Sequence, residues 1–197
     1  MTQQTTVMNL VHANNGMLTT AMAVKNGISR GILGYMVKQG TLLRASRGVY
    51  TLPDVWDDEF LNLQTRFKRG IFSHETALFL WNLTDRTPIT YHMTFPTNYN
   101  LSNPRLEGLR CAQAKPELYD IGITTVQSPA GNSIRCYSAE RSLCDILRPY
   151  HAADIQIVTE AFKRYASGQN KNIPLLSEYA SKLGVAKKIR TYLEVLL

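Results

Sequence analysis

Residues 19–52 read TTAMAVKNGISRGILGYMVKQGTLLRASRGVYTL, and their pattern decides the fold. The spacing predicts a helix from about Thr20 to Lys25, a turn at Asn26-Gly27 and a second helix from Ser29 to Gln39. A two-stranded hairpin follows, with Arg47-Gly48 at its tip. That order is a helix-turn-helix with a wing. Asn26 and Gly27 both tolerate the positive φ that ends one helix before the chain reverses. Ser29 is placed to cap the next helix by accepting a hydrogen bond from an unpaired N–H of its first turn. Ile28, Ile32, Leu33, Met36 and Val37 fall on one side at helical spacing and should face a small core. Ser29, Arg30, Gly31, Gly34, Tyr35 and Lys38 are left facing outward.

Two glycines inside a helix cost about 1 kcal/mol each relative to Ala. Close approach of a phosphate backbone is one reason to tolerate them, and packing of Gly31 or Gly34 against the first helix is the other. Gly40 ends the helix, after which Leu42 to Ser46 and Val49 to Leu52 have the apolar, β-branched and aromatic make-up of paired strands. Arg44 on one strand and Arg47 at the tip could reach a neighbouring groove, where arginine responds to a narrow minor groove. Residues 4–14 supply a backing helix through Val7, Met8, Leu10 and Val11. Thr19 and Thr20 are candidate caps, and a hydroxyl at that helix start could also touch a phosphate.

The charge distribution agrees with this layout. The formal net charge is +7, and from Met1 to Pro53 stand Lys25, Arg30, Lys38, Arg44 and Arg47 with no Asp or Glu. Residues 54–197 hold the other 17 Lys and Arg and all 15 acids. Positive charge concentrated in this way favours a polyanion through counterion release. A solvated face normally intersperses its bases with acids, and here the acids are absent.

The remaining sequence reads as a second domain. Its helix from Asp54 carries Asp57, Asp58 and Glu59 first and Arg66, Lys68 and Arg69 last, an order the helix dipole explains. A helix starting at Ser73 follows, with His74 and Glu75 decorating its first turn, and then strands near 89–96, 109–113, 121–127 and 133–137. A loop from Thr97 to Pro104 separates the first two strands. Ser138 caps the next helix, where Asp145 and Arg148 make an i,i+3 pair. Three further helices end the chain and leave a basic patch at Lys182, Lys187, Lys188 and Arg190, for which a solvated face is the default. The expected fold class is thus α+β. A winged helix-turn-helix over residues 1–55 precedes a mixed α/β domain over residues 56–197 that ends in helices.

Cys111, Cys136 and Cys144 are odd in number and lack CxxC spacing, so neither a disulfide framework nor a zinc site is suggested. His12, His74, His92 and His151 are scattered. There is no P-loop, GxGxxG or GxSxG, so no cofactor or metal is expected. No stretch approaches 18 apolar residues, which points to a cytoplasmic protein without membrane association.

The stretches GTLLRASRGVYTLP, SHETALFLWNLTDRTP, SAERSLCDILR and YASKLGVAKKIRTYLEVLL, in that order, resemble the AbiEi family, the antitoxins of AbiE abortive-infection systems. The resemblance implies that the first domain binds inverted repeats in its own promoter and represses the operon. It also implies that the second counters a nucleotidyltransferase toxin without forming a stable complex, a type IV arrangement in phage defence, and that the protein is not an enzyme. The roles of individual residues come from the helix faces: Arg30, Tyr35 and Lys38 enter the major groove, with Gly31 permitting close approach. Thr20 and Ser29 touch phosphate, while Arg44 and Arg47 hold the wing. The competing expectation is an enzyme acting on nucleic acid that uses the winged module for docking, with His74, Glu75, Asp85 and Asp145 as its residues. A ligand-sensing transcription factor is the third.

Overall fold

A computed structural model of the chain describes residues 2–149 and 153–196, so His151 lies outside the described residues. The chain divides into two compact units, Met1–Lys68 with Gln127–Ile134, and Arg69–Val126 with Arg135–Leu197. It is a mixed α/β protein with two sheets.

The first unit begins with α1 (Gln3–Ala13), β1 (Met17–Thr19), α2 (Thr20–Lys25) and α3 (Arg30–Lys38). Val7 and Val11 of α1, four residues apart and therefore on one face, are buried with Leu18, Ala23, Ile28, Leu33, Met36 and Leu42. Leu18, Leu33 and Leu42 are wholly buried. Each such side chain is worth roughly 1.5–3 kcal/mol relative to exposure. The hairpin is β2 (Leu43–Ser46) and β3 (Val49–Thr51), and the sheet order is β1-β3-β2 with both pairings antiparallel. A third strand, β1, thus joins the two expected from sequence.

Two details of the turn differ from expectation. Gly27 alone takes positive φ, at 72°, whereas Asn26 stays at −96° and donates from Nδ2 to the carbonyl of Met22 at 2.9 Å. Ser29 stands at the N-cap of α3 but accepts no hydrogen bond from the helix, because its hydroxyl turns to Gln3 and donates to Oε1 at 3.4 Å. Thr19 does cap α2, accepting from Met22 N at 3.2 Å.

The first unit also includes α4 (Glu59–Arg66), so the division falls after Lys68 rather than near residue 55. Asp58 explains why. It caps α4 by accepting from Leu61 N at 3.2 Å, and its other oxygen accepts from Ser128 Oγ at 2.5 Å and Asn132 Nδ2 at 2.8 Å. A buried carboxylate is tolerated only with such donors, and two of them come from a segment 70 residues further along the chain.

In the second unit the elements run β4 (Ile71–Phe72), α5 (His74–Leu80), β5 (His92–Pro96), α6 (Ser102–Leu106), β6 (Arg110–Ala114) and α7 (Pro116–Tyr119). Then come β7 (Ile123–Gln127), β8 (Ser133–Tyr137), α8 (Ala139–Asp145), α9 (Ile155–Ser167), α10 (Ile173–Lys182) and α11 (Ala186–Leu196). The sheet order is β6-β5-β4-β8-β7, with β4/β5 antiparallel and β4/β8 and β5/β6 parallel. The segment expected as a loop contains α6. Leu78 of α5 packs with Leu143 and Cys144 of α8, Phe162 of α9, Leu176 of α10 and Ile189 of α11 in one apolar cluster. Among the described residues no helix is long and apolar enough to cross a membrane.

Candidate nucleic-acid interface

The α3 sequence RGILGYMVK sorts its residues cleanly. Leu33 and Met36 are buried and Ile32 and Val37 half-buried, while Arg30, Gly31, Gly34, Tyr35 and Lys38 are exposed beside Ser29. Positions 30, 31, 34, 35 and 38 form one stripe at helical spacing. The stripe therefore carries two cations and an aromatic ring that is 48% exposed. A Cβ placed on Gly34 meets nothing within 4 Å, and one on Gly31 meets only Ser29 Oγ at 3.9 Å. Packing against α2 or any other neighbouring helix is thereby removed as the reason for the glycines. They leave the helix backbone open to whatever lies outside.

The hairpin places Arg44 on β2 and Arg47 at the tip, both exposed, with Gly48 at φ 86° closing the turn. Its register slips between Leu43 and Ser46, a bulge that increases local twist. Two bonds fix the tip. Thr20 N donates to Gly48 O at 2.8 Å, and Ser46 Oγ donates to Asn62 Oδ1 of α4 at 2.8 Å. Asn62 is itself oriented by donating to both Asp57 oxygens at 2.8 Å. Asn62 and Asp57 were missed as positioning residues because their partner strand lies 16 residues away and nothing in the local pattern links them. Thr20 differs from the other expected contact residues. It is half-buried, and its hydroxyl also donates to Gly48 O, at 3.4 Å.

Of the groups considered for catalysis, His74 is buried rather than decorating a helix surface, and it takes φ 52°. Asp145 is buried too, and its main partner is Arg141 Nε at 2.9 Å, with Arg148 at 3.7 Å. Arg141 went unread in the sequence. Asp85 is separate from these, bound to Arg164, whose guanidinium holds the Asp85 carboxyl below the usual carboxylate range. Among the described residues no group of three His, Cys, Asp or Glu side chains could hold a metal ion.

The α3 stripe and the hairpin both present exposed cations, a chemistry suited to a polyanion. Residues 6–53 match the family described as "Transcriptional regulator, AbiEi antitoxin". The matched stretch runs from within α1 to just past β3. No curated protein matches the sequence. Among solved structures, the chain is similar to the crystal structure of the RV2827C protein from Mycobacterium tuberculosis. Their identity is 12% and the TM-score 0.43, over 98% of this chain and 80% of that one.

Proposed function

We propose that this protein is a sequence-specific DNA-binding repressor of its own operon and the antitoxin of a type IV abortive-infection system. In this reading α2, the Gly27 turn, α3 and the β2–β3 hairpin form a winged helix-turn-helix over about residues 1–55, inside a first unit that runs on through α4. Arg30, Tyr35 and Lys38 read the major groove of inverted repeats, Gly31 admits the backbone, and Ser29 touches phosphate. Arg44 and Arg47 hold the wing to the backbone or minor groove, with Thr20 fastening its tip. The observation that carries the reading is the open stripe on α3, cationic and glycine-bearing, inside a stretch without a single carboxylate. The C-terminal domain counters a nucleotidyltransferase toxin without a stable complex. The protein works in the cytoplasm and is not an enzyme.

Fluorescence anisotropy with promoter and scrambled duplexes across a salt series tests the DNA half. Arg30→Ala should cost about 1–3 kcal/mol of discrimination, the value of one bidentate arginine–guanine pair. Lys38→Ala should weaken both duplexes alike. If neither substitution lowers promoter affinity, α3 is not the reading helix. Growth rescue tests the other half: the full chain should protect cells expressing the neighbouring nucleotidyltransferase, and residues 1–55 alone should not.

A further inference from the structure

The second unit holds a pair of cavities whose construction has no bearing on DNA reading. β6 has the sequence RCAQA, so Arg110, Ala112 and Ala114 fall on one face. The parallel register sets them beside His92, Thr94 and Pro96 of β5. Two alanines in a row on that face leave volume that larger side chains would fill. The first cavity, about 460 Å³, is lined by His74, Glu75, His92, Arg105, Arg110 and Cys111 among others. That lies within the roughly 300–1,000 Å³ typical of small-molecule sites. The second, about 200 Å³, shares His74 and Ala112 with the first and adds Thr94, Arg141, Asp145 and Arg148.

In each cavity two arginines outnumber one carboxylate, Arg105 and Arg110 against Glu75 in the first and Arg141 and Arg148 against Asp145 in the second. In the second cavity Arg141 is matched to Asp145 and to the carbonyls of Leu118 and Ile121, at 2.6 and 3.0 Å. In the first, Arg105 and Arg110 are exposed and, among the described residues, neither has an ion-pair partner. His74 stands where the cavities meet, its Nδ1 2.9 Å from Ser73 Oγ, which in turn accepts from Thr94 Oγ1 at 2.9 Å. His74 takes a left-handed φ of 52°, a strained conformation that persists only where its surroundings hold it. The ring is thereby turned toward the cavities and packs edge-on against His92, centroids 5.6 Å apart. Burial raises the pKa of the Cys111 thiol, so the cavity holds no ready thiolate at neutral pH. Two exposed guanidinium forks offer more donors than one carboxylate can accept, and they suit the several oxygens of a phosphate.

We infer that these cavities bind a small phosphorylated molecule of about mononucleotide size, its phosphate held by Arg105 and Arg110 beside His74 and His92. The full chain is titrated by calorimetry and thermal shift with inorganic pyrophosphate, the four ribonucleoside 5′-monophosphates and the matching nucleosides. Saturable binding of a phosphorylated probe is expected, with no response to nucleosides. Pyrophosphate matching the nucleotides assigns recognition to the phosphate alone, and tighter nucleotide binding adds the base and sugar; both support the site. Arg105→Ala with Arg110→Ala should weaken binding by about tenfold or more, through loss of two charge-assisted contacts. Arg30→Ala with Lys38→Ala should leave it unchanged, which separates this site from the DNA surface. No saturable response up to roughly 10 mM overturns the inference. Binding that survives loss of both Arg105 and Arg110 overturns it equally.

Discussion

The two units use arginine and lysine in opposite ways. In the first, Lys25, Arg30, Lys38, Arg44 and Arg47 are exposed, and among the described residues none has an ion-pair partner. In the second, many cations are occupied. Arg164 holds Asp85 and Glu160, Arg86 meets Asp154, Lys182 meets Glu178 at 2.6 Å, and Lys188 donates to the carbonyl of Leu147 at 2.7 Å. Even in the C-terminal run of Lys182, Lys187, Lys188 and Arg190, one charge is paired with Glu178 and the Lys188 ammonium is tied to a backbone carbonyl. A charge count along the chain describes solubility; the field available to a polyanion depends on which charges remain unpaired. By that measure the first quarter of the chain keeps the charge of all five of its cations available.

The contrast can be broken by removing a cation of each kind. Arg141 and Asp145 are 1% and 2% exposed, so Arg141→Ala strands a buried carboxylate, a loss on the order of 3–5 kcal/mol. Urea unfolding should show it as a large fall in midpoint, while promoter affinity of the folded fraction stays as it was. A variant as stable as the parent protein would mean that Asp145 finds another donor or a proton. The next effect is smaller and falls on binding instead of stability. Arg44→Ala and Arg47→Ala should each lower the slope of log affinity against log salt by about 0.9 if each neutralises one phosphate. Lys187→Ala and Arg190→Ala should leave the slope unchanged. Equal slopes for all four variants would erase the distinction between the two basic regions.

How far the sequence reveals these regions depends on the range of the interactions involved. The path from α2 through the turn and α3 to the hairpin is readable because helical spacing, Gly27 and the Arg47-Gly48 tip all act within a few residues. The β1 and β4 strands have three and two residues, too few for an alternating pattern to register. Asp58 reads as part of an acidic helix entry and turns out to cap α4, but its bonds to Ser128 and Asn132 are invisible in a local window, and with them the reach of the first unit to Lys68. Ser29 looks like a cap and is not, because Gln3 lies close enough to take its hydroxyl. The cavity face is the least legible part. It depends on Ala112 and Ala114 set opposite Thr94 and Pro96 across parallel strands, and on a left-handed φ at His74 that the local sequence does not announce.

The glycines of α3 give the smallest expected effect and the sharpest test of what the open stripe is for. Nothing lies within 4 Å of a Cβ at Gly34, and its φ is not positive, so Gly34→Ala removes backbone entropy from the unfolded chain at no steric cost. Thermal unfolding should show a gain of about 0.5–1 kcal/mol. If a duplex comes close to this part of the helix, the same methyl group must occupy space the backbone of DNA needs, and promoter affinity should fall although the protein is more stable. A gain in stability with unchanged affinity would move the duplex away from Gly34 and rotate the reading face toward Arg30 and Tyr35. Because the free protein benefits from the substitution, any loss of binding cannot be charged to damaged folding.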